Sequence, residues 1–382
     1  MKHKTIIFLL IGLAILAVML YFIGIDQVID ALELANFWFI LLAIIMQIFT
    51  YYLFALRWNI VNKTANINIS IKNLFPMVLV GLAVNNITPS GRGGGEPVRA
   101  YILAKQSNNP SEEAFATVIA DRALDTFPFL LLAIITIISM ILYFSLSPLV
   151  LTILILSVMG ITVALILLIY MSVNQKAGKK ITKWLVKIIK FFYRKIDPEI
   201  LEQKVIKAIS GFQKTMKLML KDRKILYHAL PVSFLIWFTE ILRVFLVFLA
   251  FGATVDPILI GEVFIVASLI GMIPLLPGGL GAVDGVMILF YSSAGISPSI
   301  SAAATVIERL ISFWMTTMIG LAILPHYGAS VFDKINSTSI SEEETVKEII
   351  DELDYMEDKN DKKDIGDVNK ENIENIEDKG DK

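Results

Sequence analysis

The sequence predicts an all-α polytopic membrane protein with about six spanning helices and two re-entrant helical hairpins in an inverted repeat. Three observations support this fold class: 56% of the 382 residues are apolar, several apolar runs approach 20 residues, and the two halves of the chain resemble each other. Soluble domains contain about 45–50% apolar residues, and a helix needs about 20 residues to cross about 30 Å of hydrocarbon. The composition therefore excludes an ordinary soluble fold.

Long apolar runs mark the predicted spanning helices along the chain. They lie at residues 5–25, 37–56, 114–144, 149–173, 226–251 and 300–324. The first run follows Lys2 and Lys4, as a secretory signal would, but no small-x-small cleavage site closes it. We therefore expect it to be retained as a spanning helix.

Two further apolar stretches, 71–105 and 257–294, are each interrupted in the middle by proline and glycine. Non-helical backbone at membrane depth is tolerated only where protein buries it or where it lines a wet cavity. Each stretch is therefore predicted to be a re-entrant hairpin; the alternative, a tight pair of full spans, leaves the topology unchanged. The residues predicted to form the hairpins are Pro89, Gly91, Gly93, Pro277, Gly279 and Gly281.

An internal repeat appears when the chain is compared with itself at an offset of 188 residues. Residues 89–119 then match residues 277–307 at 11 of 31 positions, and Glu96 falls on Asp284. The predicted repeat units cover about 37–144 and 225–325 and begin on opposite sides of the membrane, within a transmembrane domain at 1–330. Inverted repeats with broken helices are typical of secondary transporters; the alternative is a duplication retained only for structure.

The charged residues outside the spans are strongly segregated. Residues 174–224 hold 15 Lys and Arg against 4 Asp and Glu, whereas residues 331–382 hold 18 Asp and Glu against 8 Lys. Positively charged loops stay in the cytoplasm, which predicts a basic amphipathic cytoplasmic segment that either anchors at the interface or recruits anionic lipid. The acidic tail has the composition of a disordered segment. The protein is therefore predicted to lie in the plasma membrane with both termini in the cytoplasm. The loop predicted to carry Arg57, Lys63 and Lys72 also lies on the cytoplasmic side.

Ionisable residues inside the predicted spans and hairpins are the candidate substrate-binding residues. Each costs roughly 2.5–3.5 kcal/mol at a helix centre, so such residues usually face a cavity or one another. Glycine-flanked Arg92 begins a half-helix, where its guanidinium and free N–H groups could hold a phosphate, and Glu96 lies one turn from Arg99, within pairing distance. The alternative is that these residues are structural ion pairs. The candidates are Arg92, Glu96, Arg99, Asp121, Arg122, Asp284, Glu308 and Arg309.

Several kinds of chemistry find no signature in the sequence. The chain has no cysteine and only three histidines, which never cluster at metal-ligand spacing. No Walker loop, HExxH motif or Gly-x-Ser-x-Gly elbow occurs. We therefore expect no catalytic residue, metal or cofactor, and no nucleic-acid partner.

Over residues 1–330 the chain resembles the membrane domain of the lysylphosphatidylglycerol synthase/flippase family. The resemblance rests on NNITPSGRGGGEPVRAYIL with ATVIADRALD, and on PLLPGGLGAVDG with ATVIERLISFW. The family, which is also recognised beside archaeal dolichol-linked glycosylation proteins, implies translocation of aminoacylated phospholipids or a role with polyprenyl lipid carriers. The chain departs from it at Asp284, which stands where glutamate is expected, and the short acidic segment after the last span leads us to expect no aminoacyl-transferase domain.

The resemblance therefore implies only the translocating activity of that family. We expect an integral membrane flippase for a phospholipid or polyprenyl-linked lipid, with membrane lipids, especially anionic ones, as its partners. The alternative is a non-transporting scaffold that holds a lipid-modifying enzyme or a glycosyltransferase at the membrane.

Overall fold

The computed structural model describes residues 25–88, 93–143, 148–174, 176–177, 184, 198–272 and 277–327. The first predicted span, apart from its last residue, lies outside the described residues. So do Pro89, Gly91 and Arg92, residues 175, 178–183 and 185–197 of the basic segment, and the whole acidic tail.

The described residues form eleven helices, which confirms the all-α class. They are α1 Ile25–Glu33, α2 Phe37–Thr64, α3 Ile71–Ile87, α4 Gly95–Ser107, α5 Ser111–Tyr143, α6 Pro148–Val173, α7 Pro198–Lys221, α8 Ile225–Ala250, α9 Pro257–Gly271, α10 Ala282–Ser293 and α11 Pro298–Tyr327. Two segments are π-helical, the first turn of α8 at Ile225–Ala229 and the middle of α11 at Leu310–Met315. Within the described chain, five helices are long and apolar enough to cross a membrane: α2, α5, α6, α8 and α11.

Helix α2 corrects one prediction from the sequence. Its span was expected to end at residue 56, with Arg57 in a cytoplasmic loop, but the helix continues to Thr64 and Arg57 is fully buried within it. Carboxylates on α5 neutralise the guanidinium. The helix therefore continues past Arg57 with this charge buried inside it.

Two helical hairpins stand where the sequence is broken by proline and glycine. Helices α3 and α4 have 17 and 13 residues, and α9 and α10 have 15 and 12. At 1.5 Å per residue none reaches the roughly 30 Å of a bilayer core. The first hairpin closes through a glycine contact, because a Cβ atom on Gly95 would strike the backbone of Gly81.

Helices α2 and α8 pack against each other in antiparallel orientation at the centre of the molecule. Three polar links run along their interface: Gln47 with Arg243, Thr50 with Thr239, and Arg57 with Ser233. Residue numbers rise along α2 as they fall along α8, which fixes the opposite directions of the two helices. Each predicted repeat unit therefore begins with a span that runs against its counterpart.

Each hairpin also packs on the last span of the other unit. Helix α3 lies so close to the end of α11 that a Cβ atom on Gly320 would come within 2.5 Å of the Ala83 side chain. In the second hairpin, α9 packs against α5 in an apolar cluster that includes Val266 and Phe129. The two units are thus interlocked through their hairpins.

The close contact at Gly320 predicts that Gly320→Ala destabilises the protein, because the new methyl group overlaps α3. Overpacking of this kind typically lowers the free energy of unfolding by about 1–3 kcal/mol. The thermal unfolding midpoint of the detergent-purified protein measures the effect. Gly160→Ala in α6 is the matched control, because a Cβ atom there meets nothing within 4 Å; equal midpoints for the two variants would contradict the packing.

Candidate functional site

A buried ion-pair cluster lies where α2, α4 and α5 meet. Arg57 Nε donates to Asp121 Oδ1 at 2.7 Å, and Arg99 Nη2 donates to Asp121 Oδ2 at 3.0 Å. A second nitrogen of Arg57 donates to Asp125 at 2.7 Å. The Arg99 guanidinium stacks on the buried Trp58 ring, 4.1 Å from its centroid. Two arginines thus share one carboxylate, and each also lies over an aromatic ring, since Arg57 is 5.3 Å from the Phe54 centroid.

Arg122 follows Asp121 on α5 and turns toward the first hairpin. It donates to Glu96 of α4 and lies 3.8 Å from Asp125, with 26% of its side chain exposed. The expected pairing of Glu96 with Arg99 within one helix is wrong, since their ion-pair partners are Arg122 and Asp121 of α5. Helix α5 packs along α4 and places Arg122 and Asp121 within hydrogen-bond distance of Glu96 and Arg99, respectively.

A second cluster occupies the junction of α8, α10 and α11. Arg243 of α8 donates to Glu240 at 2.5 Å and to Glu308 of α11 at 2.7 Å. Arg309 pairs with Asp284 of α10 at 2.9 Å, and its Nη2 donates to the Gly278 carbonyl oxygen at 3.0 Å.

The two clusters follow one plan. In each cluster, an arginine on the first span of the unit, α2 or α8, binds an acid on the last span of the same unit, α5 or α11. The residue that follows this acid in the sequence is an arginine, and it binds the acid of the hairpin. The matched pairs are Arg57–Asp121 with Arg243–Glu308, and Arg122–Glu96 with Arg309–Asp284. The same pattern extends across the units, because Arg57 donates to Ser233 of α8 and Arg243 donates to Gln47 of α2.

A cavity of about 160 Å³ lies between the two units and contacts both clusters. Its charged lining residues are Arg122, Asp125, Glu240, Arg243, Glu308 and Arg309. Its aromatic and aliphatic lining includes Tyr51, Phe54, Ile236, Trp237, Phe264 and Phe313. The cavity is therefore amphipathic. Among the described residues, no three histidine or acidic side chains are grouped as a metal ion requires.

The predicted substrate-binding residues occupy three different environments. Arg122, Glu308 and Arg309 line the cavity. Glu96 and Asp284 are buried partners of the two cavity arginines. Arg99 and Asp121 lie in the covered cluster and are not among the lining residues, and Arg92 lies outside the described part of the chain.

The described residues of the predicted bends lie where the hairpins turn. Gly93 is exposed just before α4. Pro277 opens a single 3₁₀ turn ending at Gly279, and Gly279 and Gly281 have left-handed φ angles of +68° and +79°. Asp284 accepts a hydrogen bond from the Gly281 N–H at 2.6 Å and so caps α10.

Sequence reasoning missed two residues that organise the site. Arg57 lies near Lys63 at the end of an apolar run, which favoured a loop; an offset of 186 residues, which places Arg57 on Arg243 and Gln47 on Ser233, would have revealed it. Asn85 lines the cavity and also accepts from the Gly95 N–H at 2.6 Å. The doubled asparagine before the first bend was the available signal.

Comparison with known proteins identifies the family of this chain. The family model for the lysylphosphatidylglycerol synthase TM region matches residues 7–320. The chain belongs to this family. The resemblance predicted from the glycine-rich motifs is thereby confirmed, and both charged clusters and the cavity fall within the matched region.

Three relatives are similar to most of this chain. A UPF0104 membrane protein of Methanothermobacter thermautotrophicus is 54% identical over 335 residues, covering 88% of this chain and 99% of the relative. UPF0104 membrane proteins of Methanocaldococcus jannaschii and Pyrococcus horikoshii are 35% and 30% identical; each alignment covers 83% of this chain, and 93% and 95% of the respective relatives. The chain is thus an integral membrane protein that is similar to these relatives over most of its length.

The shared carboxylate of the covered cluster predicts that Asp121→Asn is strongly destabilising. Removing its charge leaves two buried guanidinium groups under-neutralised, and breaking a buried pair costs about 3–5 kcal/mol. Glu240→Gln is the matched control, because Arg243 keeps Glu308 and Gln47 as partners and the Glu240 side chain is partly exposed. Chemical denaturation in detergent micelles measures both, and an equal loss in the two variants would refute the central role of Asp121.

Proposed function

We propose that this protein is a translocase that carries the phosphate-bearing headgroup of a membrane lipid across the bilayer through the cavity between its two units. One observation supports this most directly: the cavity is charged on one part of its wall and aromatic on the other, as an amphiphile requires. Its position between antiparallel, interlocked units fits the transporters built from inverted repeats.

The headgroup would bind to Arg122 and Arg309. Both line the cavity, and each is already held by a hairpin carboxylate. A guanidinium carries five N–H donors in a planar fork, so donors remain for a phosphate after the carboxylate is bound. Arginine also matches phosphate geometry better than lysine does. Arg92 would join them; its role is carried by the sequence alone.

The size of the cavity limits what enters it. Pockets that enclose a drug-sized ligand usually measure about 300–1,000 Å³, whereas this cavity measures about 160 Å³. A headgroup fits such a volume and a whole phospholipid does not. The hydrocarbon chains would therefore remain in the bilayer while the headgroup crosses beside Trp237 and Phe264.

The second candidate is a scaffold that holds a lipid-modifying enzyme or glycosyltransferase. The strong positive charge of residues 174–224 favours it, because such a surface recruits partners without any cavity. A scaffold has no need of the cavity arginines, so their substitution separates the two functions. Neither candidate assigns a chemical reaction to this chain.

A lipid transfer assay tests the proposal in proteoliposomes that contain fluorescently labelled phosphatidylglycerol and an impermeant quencher. Arg122→Ala and Arg309→Ala should each slow transfer roughly 10- to 100-fold, because a hydrogen bond to a charged group contributes about 1.5–3 kcal/mol. The lysine variants should recover little of the rate. Lys214→Ala on the exposed face of α7 is the control; wild-type transfer in a folded Arg122→Ala/Arg309→Ala double variant would favour the scaffold.

The proposed orientation places the protein in the plasma membrane with both termini in the cytoplasm. It follows from the basic segment at 174–224, since positively charged loops remain inside. Because the chain lacks cysteine, a single Lys207→Cys substitution in α7 can be probed with an impermeant thiol reagent. Labelling is expected in inverted membrane vesicles and absent in intact cells, and the reverse pattern would overturn the orientation.

A further inference from the structure

We propose that the two arginine links between α2 and α8 are a pair of alternating gates that pivot about Thr50 and Thr239. The Gln47–Arg243 link is one gate and the Arg57–Ser233 link is the other. This inference rests on the proposed function, because it names the moving parts of the same cavity.

The three links are arranged as a pivot with two arms. The Thr50 hydroxyl donates to the Thr239 hydroxyl at 2.9 Å, and both side chains are buried. The gates lie on either side of this contact, ten residues apart on α2, which corresponds to about 15 Å along the helix. A rocking motion of α8 against α2 about the threonine pair opens one gate and compresses the other.

The same residue plan applies to both gates, so neither is a passive contact specific to one unit. At each gate an arginine of α2 or α8 donates to a neutral side chain on the other of these two helices. That neutral residue lies ten positions before the arginine of its own helix. Each arginine also binds an acid on the last span of its own unit. The acid keeps the guanidinium charge neutralised when the neutral link breaks, which avoids leaving an unpaired buried charge.

The cavity contacts the two gates unequally in the described conformation. Gln47 and Arg243 line it, whereas Arg57 and Ser233 do not. Phe54 and Asp125 lie on the cavity wall and also contact Arg57, so they separate the cavity from the second gate. Both links are made, so this conformation is closed at both gates with the cavity adjoining only the Gln47 side.

Opening one gate at a time gives the headgroup access from one side of the membrane and then from the other. The links that break are hydrogen bonds from a guanidinium to a neutral side chain, and a hydrogen bond to a charged group contributes about 1.5–3 kcal/mol, whereas breaking a buried ion pair costs about 3–5 kcal/mol. The ion pairs within each unit stay intact, so each unit moves as a body. Transporters with inverted repeats move by this kind of rocking, and the threonine pair supplies the axis.

Thiol labelling of the cysteine-free chain tests the gates without any transport measurement. Gln47→Cys and Ser233→Cys are made singly, reconstituted in sealed proteoliposomes of defined orientation, and exposed to a small, permanently charged methanethiosulfonate reagent on either side. Ser301→Cys is the matched control, because Ser301 and Ser233 are both serines with 0% exposure. We expect Gln47→Cys to react from one side and Ser233→Cys from the other, each at least tenfold faster than Ser301→Cys.

Ser233→Ala provides a second test of the gates if Ser233→Cys fails to fold. Ser233→Ala in the Gln47→Cys background removes one link, favours opening of that gate, and should slow labelling of the introduced thiol severalfold, while Ser301→Ala should not. Labelling of Ser233→Cys no faster than the control, labelling of both reporters from the same side, or an unchanged rate in Ser233→Ala would each overturn the gates. Alternating labelling without transfer of phosphatidylglycerol would keep the gates and reject the proposed function.

Discussion

The arrangement of this protein depends on the need to neutralise arginine inside a membrane. A guanidinium cannot shed its proton at accessible pH, so a buried arginine must have a carboxylate, an aromatic ring or a polar cavity beside it. Arg57, Arg99 and Arg243 satisfy this need almost entirely with protein groups. Each of the three contacts cited joins two different helices, so it also fixes how those helices pack.

That requirement explains why the broken helices stay in place. Glu96 and Asp284 each lie in the first turn of the second helix of their hairpin, α4 and α10. Each binds an arginine on the last span of its unit, α5 and α11 respectively. The hairpins are too short to be held by length and hydrophobicity as a spanning helix is. Charged contacts at their bends and glycine contacts along their sides hold them against the spans.

The sequence revealed the class of fold more completely than the site. Hydropathy, the broken stretches and the motif repeat predicted the helical architecture, because these features depend on local composition. The partners of Glu96 and Arg99 depend on how α4 and α5 pack, and no spacing within one helix contains that information. The role of Arg57 was hidden for a related reason: its match to Arg243 lies at an offset of 186 rather than 188, since the second hairpin has two more residues than the first between its start and the proline of its bend.

Helix α6 determines how many times the chain crosses the membrane before the second unit begins. It is the most apolar of the described spans, and only 11% of its most apolar window is buried in the protein, so it contributes little to the core. Yet α2, the first hairpin and α5 together make an even number of membrane crossings, and one further crossing is needed before the second unit begins. Helix α6 supplies that odd crossing in the proposed orientation. Its removal would set the two units parallel rather than antiparallel, so a span with a small share in the packing determines the symmetry of the whole molecule.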